Sequence, residues 1–227
     1  MKITGISSMA TRQMLAELCA AFEQRAGCEV SLESVGGVDA ARRVQGGEPF
    51  DVVVLASSAI DALVGSGRVV AGSQVDLVRS GVAIAVRAGA PRPDIGSEDA
   101  LRRAVQSARS VAYSTGPSGV QLAQLFERWG ITAEIKDRIV QAAPGVPVGM
   151  LVARGEVELG FQQLSELMHL DGIDVIGPLP PAVQIVTTFA GAICTRSTQA
   201  DAVRRLLDFM TSPLAADTIR RHGMEPA

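Results

Sequence analysis

The sequence predicts an α/β fold with helices on both faces of mainly parallel sheets. Strand-like and helical segments alternate along the 227 residues, which is the chain order of parallel β-α-β units. The run Asp-Val-Val-Val-Leu at 51–55 is almost wholly apolar, as in a strand covered on both faces. The first strand-like segment leads directly into a helical stripe of apolar residues.

The first half of the chain gives the clearest periodicity. Residues 9–26 repeat apolar side chains at helical spacing, 28–33 alternate as a strand does, and the Gly-Gly-Glu-Pro sequence at 46–49 marks a turn. We therefore predict strands at 2–6, 28–33 and 51–55, and helices at 9–26, 38–45 and 59–64.

Shorter segments of the same two kinds continue to the carboxyl terminus. Apolar β-rich runs predict strands at 82–87, 110–113, 139–142, 157–161, 175–177 and 183–194. Helical spacing predicts helices at 97–108, 119–129, 149–154, 201–209 and 213–221.

Composition excludes several classes of function. The 21 basic and 24 acidic residues leave a net charge of −3, so no broad basic surface is available for nucleic acid. Two histidines and three cysteines without paired spacing predict no metal site. No phosphate-binding or dinucleotide motif occurs, so we expect no cofactor.

We expect the cysteines to be reduced, packed thiols, with a Cys19–Cys28 link as the alternative.

The sequence also predicts neither a secretory signal nor a membrane-spanning segment. No apolar run approaches the roughly 18 residues of a membrane span, and residues 1–6 begin a strand and not a secretory signal. As written, the protein is expected in the cytoplasm. If a signal segment is removed in nature, the expectation becomes periplasmic.

Small polar residues recur where predicted strands end and helices follow. In open α/β sheets, ligands bind outside the carboxyl ends of strands, and helix N-termini favour anions. The alternative is that these residues only cap helices and form turns. The candidate residues are Ser7, Ser8, Gly36, Gly37, Ser57, Ser58 and the loop Thr115-Gly116-Pro117-Ser118-Gly119.

The order of these pieces resembles the molybdate-binding-protein branch of the type II periplasmic binding proteins. The resemblance is carried by residues 7–8, 41–54, 79–87, 113–119, 152–163 and 209–216, and by Gly223. It implies a two-lobed fold with two crossover segments: lobe I at 1–80 and 192–227, lobe II at 81–191, and a ligand cleft between them that closes by hinge motion. It adds Gln162 and Gln163 to the ligand-binding residues, and a permease of an ABC importer as a partner if the protein is secreted.

Two departures from that branch bear on the ligand. Gly36 and Gly37 stand where molybdate receptors usually have a serine cluster, and Gln163 stands near their tyrosine. Fewer hydroxyl donors and two added amides suit a carboxylate better than a compact oxyanion. The run Phe-Gln-Gln-Leu-Ser-Glu at 161–166 also resembles a sub-branch that includes aconitate isomerases, in which this scaffold performs an allylic proton shift.

Three functional hypotheses follow. The first is binding of a small anion, an organic di- or tricarboxylate, as a solute-binding protein does. The second is a cytoplasmic isomerase or tautomerase of an unsaturated carboxylate, and the third is a molybdate or tungstate receptor. The catalytic residue is unassigned, with Glu166 and Ser8 as candidates.

Glu166 would need a pKa near the working pH to act as a base, and its simpler alternative is a solvated residue on a first helical turn. His169 would share a face with Glu166 if 164–170 were helical. Arg79 is a candidate to pair with a ligand carboxylate.

Overall fold

The computed structural model describes residues 2–227 and divides them into two compact units. Unit 1 contains the described residues up to Ser80 together with Thr187–Ala227, and unit 2 is Gly81–Val186. The chain therefore passes into unit 2 near residue 80 and returns near residue 187. The lobe boundaries inferred from the sequence, 1–80 with 192–227 and 81–191, and the cleft, stay predictions.

Unit 1 is built on a mixed sheet of parallel and antiparallel strand pairs. Strand β1 pairs in parallel with β2 and β3, and β9 joins β3 in the antiparallel direction. The last strand, β10, pairs antiparallel with the first part of β4. The elements are β1 Lys2–Ser8, α1 Arg12–Ala26, β2 Glu29–Val35, α2 Gly37–Gln45, β3 Val52–Ala56, α3 Ser57–Gly65, β4 Val75–Arg87 (which continues into unit 2), β9 Val186–Ile193, α9 Ala200–Met210, α10 Ala216–Arg221 and β10 Met224–Pro226.

Strand β3 shows why unit 1 has helices on both faces of its sheet. All five of its residues are buried. Val52 and Val54 pack into a core with residues of α1 and α9, while Val53 and Leu55 pack into a second core with residues of α2 and α3. Because successive side chains of a strand point to opposite faces, the continuous apolar run is what lets this strand be covered twice.

Unit 2 repeats the plan with a second mixed sheet. Strand β5 pairs in parallel with β6 and β7, and the second part of β4 pairs antiparallel with β7 and β8. The remaining elements are α4 Glu98–Ser107, β5 Val111–Tyr113, α5 Pro117–Arg128, α6 Thr132–Ile135, β6 Ile139–Gln141, α7 Val148–Ala153, β7 Leu159–Gln163, α8 Leu164–Leu167 and β8 Ile173–Pro178.

The sheet of unit 2 also has a core on each face. Leu159 and Phe161 of β7 pack with residues of α4, α5 and α6. On the opposite face, residues of α7 pack with Ala112, and Leu167 of α8 packs with Ala83 and Ala85 of β4. The glutamines that end β7 therefore lie between helices on two sides.

The order of elements follows the sequence-based expectation, and the differences lie at boundaries. Strand β4 begins at Val75, before the predicted 82, and β7 runs over Leu159–Gln163 instead of 157–161. Both shifts have the same cause, because pairing with a neighbouring strand extends a segment beyond its own apolar run. Gln162 and Gln163 thus end a strand. The short α6 and β10 were not predicted.

Substitution of Gly5 tests the packing of the central strand β1. An added Cβ at Gly5 would lie 2.5 Å from both Leu32 Cδ2 and Val52 Cγ1, and 2.7 Å from the backbone oxygen of Val52. We expect Gly5→Ala to lower the free energy of unfolding by about 1–3 kcal/mol, measured by urea denaturation. Gly65→Ala is the control, because nothing lies within 4 Å of its added Cβ; an equal loss in both variants would contradict this account.

Candidate functional site

The carboxyl ends of β1, β2 and β3 bring the first set of candidate residues to one edge of unit 1. Parallel pairing places Ser7 beside Ser34 of β2 and beside Val54 of β3, and Ser8 beside Val35. Gly36 and Gly37 follow β2 directly, and Ser57 and Ser58 follow β3 as the first two residues of α3. The predicted Ser7, Ser8, Gly36, Gly37, Ser57 and Ser58 therefore share this edge.

The two serines that end β1 have different surroundings. The Ser7 hydroxyl is 2.7 Å from the Ser34 hydroxyl, so it belongs to an internal hydrogen bond. Ser8 is only 7% exposed, and its Oγ has no hydrogen-bond partner among residues 2–227. A Cβ on Gly37 would lie 3.6 Å from Ser8 Cβ. The Ser8 hydroxyl therefore lies buried beside the first residue of α2.

The helices that begin at this edge have uncapped N-termini. Neither Gly36 before α2 nor Ala56 before α3 supplies a side-chain cap. In α4, by contrast, the Ser97 hydroxyl accepts a hydrogen bond from the Ala100 N–H at 3.2 Å. The free N–H groups and the helix dipole favour a negative charge. Next to the Ser8 hydroxyl, the start of α2 provides a place for an anionic oxygen.

Two arginines of unit 1, one of them the predicted ligand contact Arg79, already have partners within the protein. Arg79 is exposed and donates to the Pro226 carbonyl oxygen at 3.1 Å, across the β4–β10 pair. Arg43 donates to Glu33 and to Glu48. A ligand carboxylate would have to compete with these contacts, so the predicted role of Arg79 gains no support from its geometry.

A second group of candidate residues lies at the carboxyl ends of β5 and β7 in unit 2. Parallel pairing sets Tyr113 beside Phe161, so the loop after Tyr113 lies near Gln162 and Gln163. This loop contains Thr115 and Gly116, and α5 begins at Pro117 without a side-chain cap.

Ser118 and Gly119 are buried in the first turn of α5. A Cβ on Gly119 would lie 1.8 Å from the Ser114 backbone oxygen, so only glycine allows the loop to turn this tightly against the helix.

Gln162 is held between two helices on one face of this sheet. Its Oε1 accepts from the Gly149 N–H of α7 at 3.1 Å, and its Nε2 donates to Glu166 Oε2 of α8 at 2.7 Å. It is only 4% exposed. Gln163, equally buried, is the next residue of the strand and projects to the opposite face, which α5 covers.

Glu166 brings a carboxyl group to this edge. Its side chain is partly buried, which corrects the expectation of a solvated residue. Burial raises the pKa of Glu166 from 4.5 to about 7, and the hydrogen bond from Gln162 offsets part of that rise. The carboxyl therefore exchanges a proton near neutral pH, as an acid–base catalyst must. The neighbouring Ser165 Oγ is buried without a hydrogen-bond partner in the protein.

The suggested pairing of Glu166 with His169 does not form on a helical face. Helix α8 ends at Leu167, and His169 lies beyond it in an exposed turn. Sequence reasoning also missed Ser34 and Gly149, because a hydrogen-bond partner in a distant element leaves no local pattern. For Ser34, its place near the end of β2 was the one available signal; Gly149 lies inside α7 and had none.

The other reactive residue types lie outside these two edges. Cys19, Cys28 and Cys194 are buried, free thiols, as expected, and burial raises the pKa of Cys19 and Cys194 to about 12. Within residues 2–227, no cluster of three His, Cys, Asp or Glu side chains could hold a metal ion. Among the same residues, no helix is long and apolar enough to cross a membrane.

The raised pKa of Glu166 predicts that Glu166→Gln becomes more stable relative to wild type as the pH rises. The folded protein keeps the Glu166 proton between pH 4.5 and about 7, so the stability linked to this group is present below pH 4.5 and lost as the pH rises to 7. We expect the unfolding free energy of Glu166→Gln, relative to wild type, to rise by about 3 kcal/mol across this window.

Urea denaturation at intervals from pH 4 to 8 measures the effect. Glu127→Gln, on the exposed side of α5, controls for the loss of one negative charge. A difference between Glu166→Gln and wild type that stays constant with pH would contradict the burial of this carboxyl.

Known proteins share both the sequence pattern and the fold. The family model described as bacterial extracellular solute-binding protein matches residues 3–225. An aconitate isomerase from Pseudomonas sp is 40% identical over 99% of this chain and 87% of its own length. The molybdate-binding protein ModA of Azotobacter vinelandii is 26% identical over 91% of this chain and 83% of its length.

Solved structures give the same fold. The periplasmic molybdate-binding protein of Azotobacter vinelandii has a TM-score of 0.80 with 19% identity, covering 98% of both chains. The sulfate-binding protein SubI of Mycobacterium tuberculosis has a TM-score of 0.79 with 18% identity, covering 100% of this chain and 87% of its own. The resemblance noted in the sequence is thereby confirmed, and the fold is that of the type II periplasmic binding proteins. The chain belongs to the bacterial extracellular solute-binding protein family.

Proposed function

We propose that this protein isomerises an unsaturated organic di- or tricarboxylate by an allylic proton shift. The observation that carries the proposal is Glu166, a partly buried carboxyl with a pKa of about 7, at an edge of unit 2 where helices begin and buried amides lie. Burying a carboxyl group lowers the stability of the fold, and a protein that only binds its ligand has no need of a carboxyl with a pKa near 7. The stability lost by burying Glu166 has a purpose if this carboxyl accepts and returns a proton during the reaction.

The proposed reaction needs only one group that accepts and returns a proton. The Glu166 carboxylate takes a proton from the saturated carbon beside a substrate carboxylate, and the electron pair of that C–H bond forms a new double bond. The original double bond opens, and its far carbon takes a proton back. Atoms and electrons balance without an oxidant, a reductant or a cofactor. A positioned base of this kind contributes about 10²–10⁴-fold.

Binding of the substrate carboxylates is assigned to the uncapped helix starts. In unit 1, the Ser8 hydroxyl and the N–H groups of α2 and α3 offer donors to one negative group. In unit 2, the loop with Thr115 and Gly116, the start of α5 with Ser118 and Gly119, and Gln163 offer another set. Helix N-termini each stabilise an anion by about 0.3–1 kcal/mol. Each of these sets offers donors to one negative group.

The similarity to an aconitate isomerase supports an enzyme of this class. That relative is 40% identical over 99% of the chain, so the matched region includes both units. Aconitate is therefore the first substrate to test.

A receptor without turnover is the second candidate. Family membership and the 26% identical molybdate-binding protein favour it. In that case the protein would act in the periplasm with a permease of an ABC importer. A carboxylate remains the proposed ligand over molybdate or tungstate, because Gly36, Gly37 and Gln163 offer no side-chain hydroxyl.

Proton NMR in deuterium oxide tests the enzyme directly. With cis- or trans-aconitate, we expect the two isomers to interconvert. Glu166→Gln should lower kcat by about 10²–10⁴-fold while tricarballylate, a saturated tricarboxylate, still binds by calorimetry. Binding of tricarboxylates by wild type without interconversion or deuterium uptake would favour the receptor. No binding of carboxylates, molybdate, tungstate or sulfate at millimolar concentration would contradict both candidates.

Removal of the Ser8 hydroxyl separates ligand binding from stability. Because Ser8 Oγ has no partner within the protein, Ser8→Ala should weaken binding of tricarballylate by roughly 5–10-fold, the equivalent of one hydrogen bond of about 1–1.5 kcal/mol, with little loss of stability. Ser7→Ala is the matched control, since it removes an internal hydrogen bond to Ser34. Calorimetry and urea denaturation measure the two effects. Unchanged affinity in Ser8→Ala would exclude Ser8 from the site.

A further inference from the structure

We infer that Gln162 is a positioning residue: its side-chain amide, locked by the Gly149 N–H, holds the Glu166 carboxyl in one orientation at the edge of unit 2. This inference rests on the proposed function of Glu166. It adds a role for two further residues: Gln162, which contacts Glu166, and Gly149, which contacts Gln162.

The orientation of the Gln162 amide is determined by chemistry. A backbone N–H can only donate, so the atom that faces Gly149 at 3.1 Å must be Oε1. The amide nitrogen then faces Glu166 Oε2 at 2.7 Å and donates to it. A flipped amide would set two donors against each other at Gly149 and two acceptors against each other at Glu166. The amide therefore has one orientation whether Glu166 is protonated or not.

The backbone of Gln162 is held as firmly as its side chain. It lies in β7 opposite Ala83 of β4, and it is 4% exposed. A group in a paired strand is placed more accurately than one in a loop. The short helix α8, which carries Glu166, gains a fixed neighbour from this contact.

Two glycines allow α7 to reach both Gln162 and α8. A Cβ on Gly160 of β7 would lie 2.5 Å from Val152 Cγ2 and 3.0 Å from Val148 Cγ1, so α7 packs directly on the strand. A Cβ on Gly149 would lie 2.5 Å from Leu170 Cδ1 and 3.0 Å from Leu167 Cδ2. Gly149 thus donates its N–H to Gln162 and also leaves space for the side chains that follow Glu166.

Among the residues that the structure describes, Gln162 is the side chain whose hydrogen bond shifts the pKa of Glu166. Helix α7 and strand β7 contain no titratable residue. On β8, Asp174 pairs with Arg92 and accepts from the Gly89 N–H. After α7, Arg154 pairs with Glu156, and His169 and Asp171 lie in the exposed turn after α8. Burial and the Gln162 hydrogen bond are the causes that set the pKa of Glu166.

Two substitutions of Gln162 test the inference without requiring a known substrate. Gln162→Glu is close in shape and still accepts from Gly149, but it sets a second carboxyl against Glu166, so the pair must share a proton. Gln162→Leu removes the donor. We expect the Glu166 titration, followed by carbon NMR of the side-chain carboxyls and assigned with Glu166→Gln, to move upward by about one pH unit in Gln162→Leu and by more in Gln162→Glu.

The control is Gln141→Leu, at an exposed position on β6, which should leave the titration unchanged. In the active enzyme, the acidic limb of the kcat profile should move by the same amount as the NMR titration. An NMR titration that stays at the wild-type position in both Gln162 variants would overturn the inference. A titration that moves in a protein without turnover would support the Gln162–Glu166 contact and contradict the proposed isomerase.

A substitution of Gly149 covers the case in which the Gln162 variants fold poorly. Gly149→Ala keeps the N–H but pushes against Leu167 and Leu170, so Glu166 should shift relative to Gln162. We expect kcat to fall more than the affinity for tricarballylate, together with an upward movement of the Glu166 titration. Gly65→Ala, in open space on α3, is the matched control. Equal effects of the two alanines would contradict the positioning role.

Discussion

Parallel pairing of strands is the constraint on which both candidate edges depend. In unit 1, the pairing of β1 with β2 and β3 brings the ends of three strands and the starts of two helices to one edge. In unit 2, the pairing of β5 with β7 does the same for α5 and the glutamine pair. Backbone N–H groups then face outward because a helix cannot satisfy its own first turn. An edge that favours an anion is in this sense a consequence of the topology.

The two edges share this arrangement of strand ends and helix starts but differ in the side chains that they add to it. The edge of unit 1 offers hydroxyls, glycines and uncapped helices, with its nearby arginines already paired to carboxylates or carbonyls. The edge of unit 2 adds the Glu166 carboxyl, whose pKa burial raises to about 7. It also adds the Gln162 amide, whose orientation is fixed by the hydrogen bond from the Gly149 N–H. Binding needs only the first kind of edge. Proton transfer needs the second, because a base must change its charge at the working pH.

Much of the fold could be predicted because strong local patterns coincide with the tertiary constraint. The apolar run of β3 indicated burial on both faces, and Val53 and Val54 do point into different cores. Glu166 was harder, since an acidic residue just after a strand is usually solvated on a first helical turn. Its burial depends on Gln162 and on the packing of α7, which the local sequence does not encode. The same holds for Ser7, whose partner Ser34 is 27 residues away.

A binding scaffold of this kind can acquire catalysis through very few changes. Helix N-termini favour negative charge, and neutralising a carboxylate next to a C–H bond also makes that proton easier to remove, because the charge of the intermediate spreads onto it. What remains is a base with a suitable pKa and a fixed position. Under the proposed function, burial gives Glu166 the suitable pKa, and the hydrogen bonds from Gly149 to Gln162 and from Gln162 to Glu166 give it the fixed position. The glycine in α7 is part of the same arrangement, since its N–H binds Gln162 Oε1 and so directs the amide nitrogen toward Glu166.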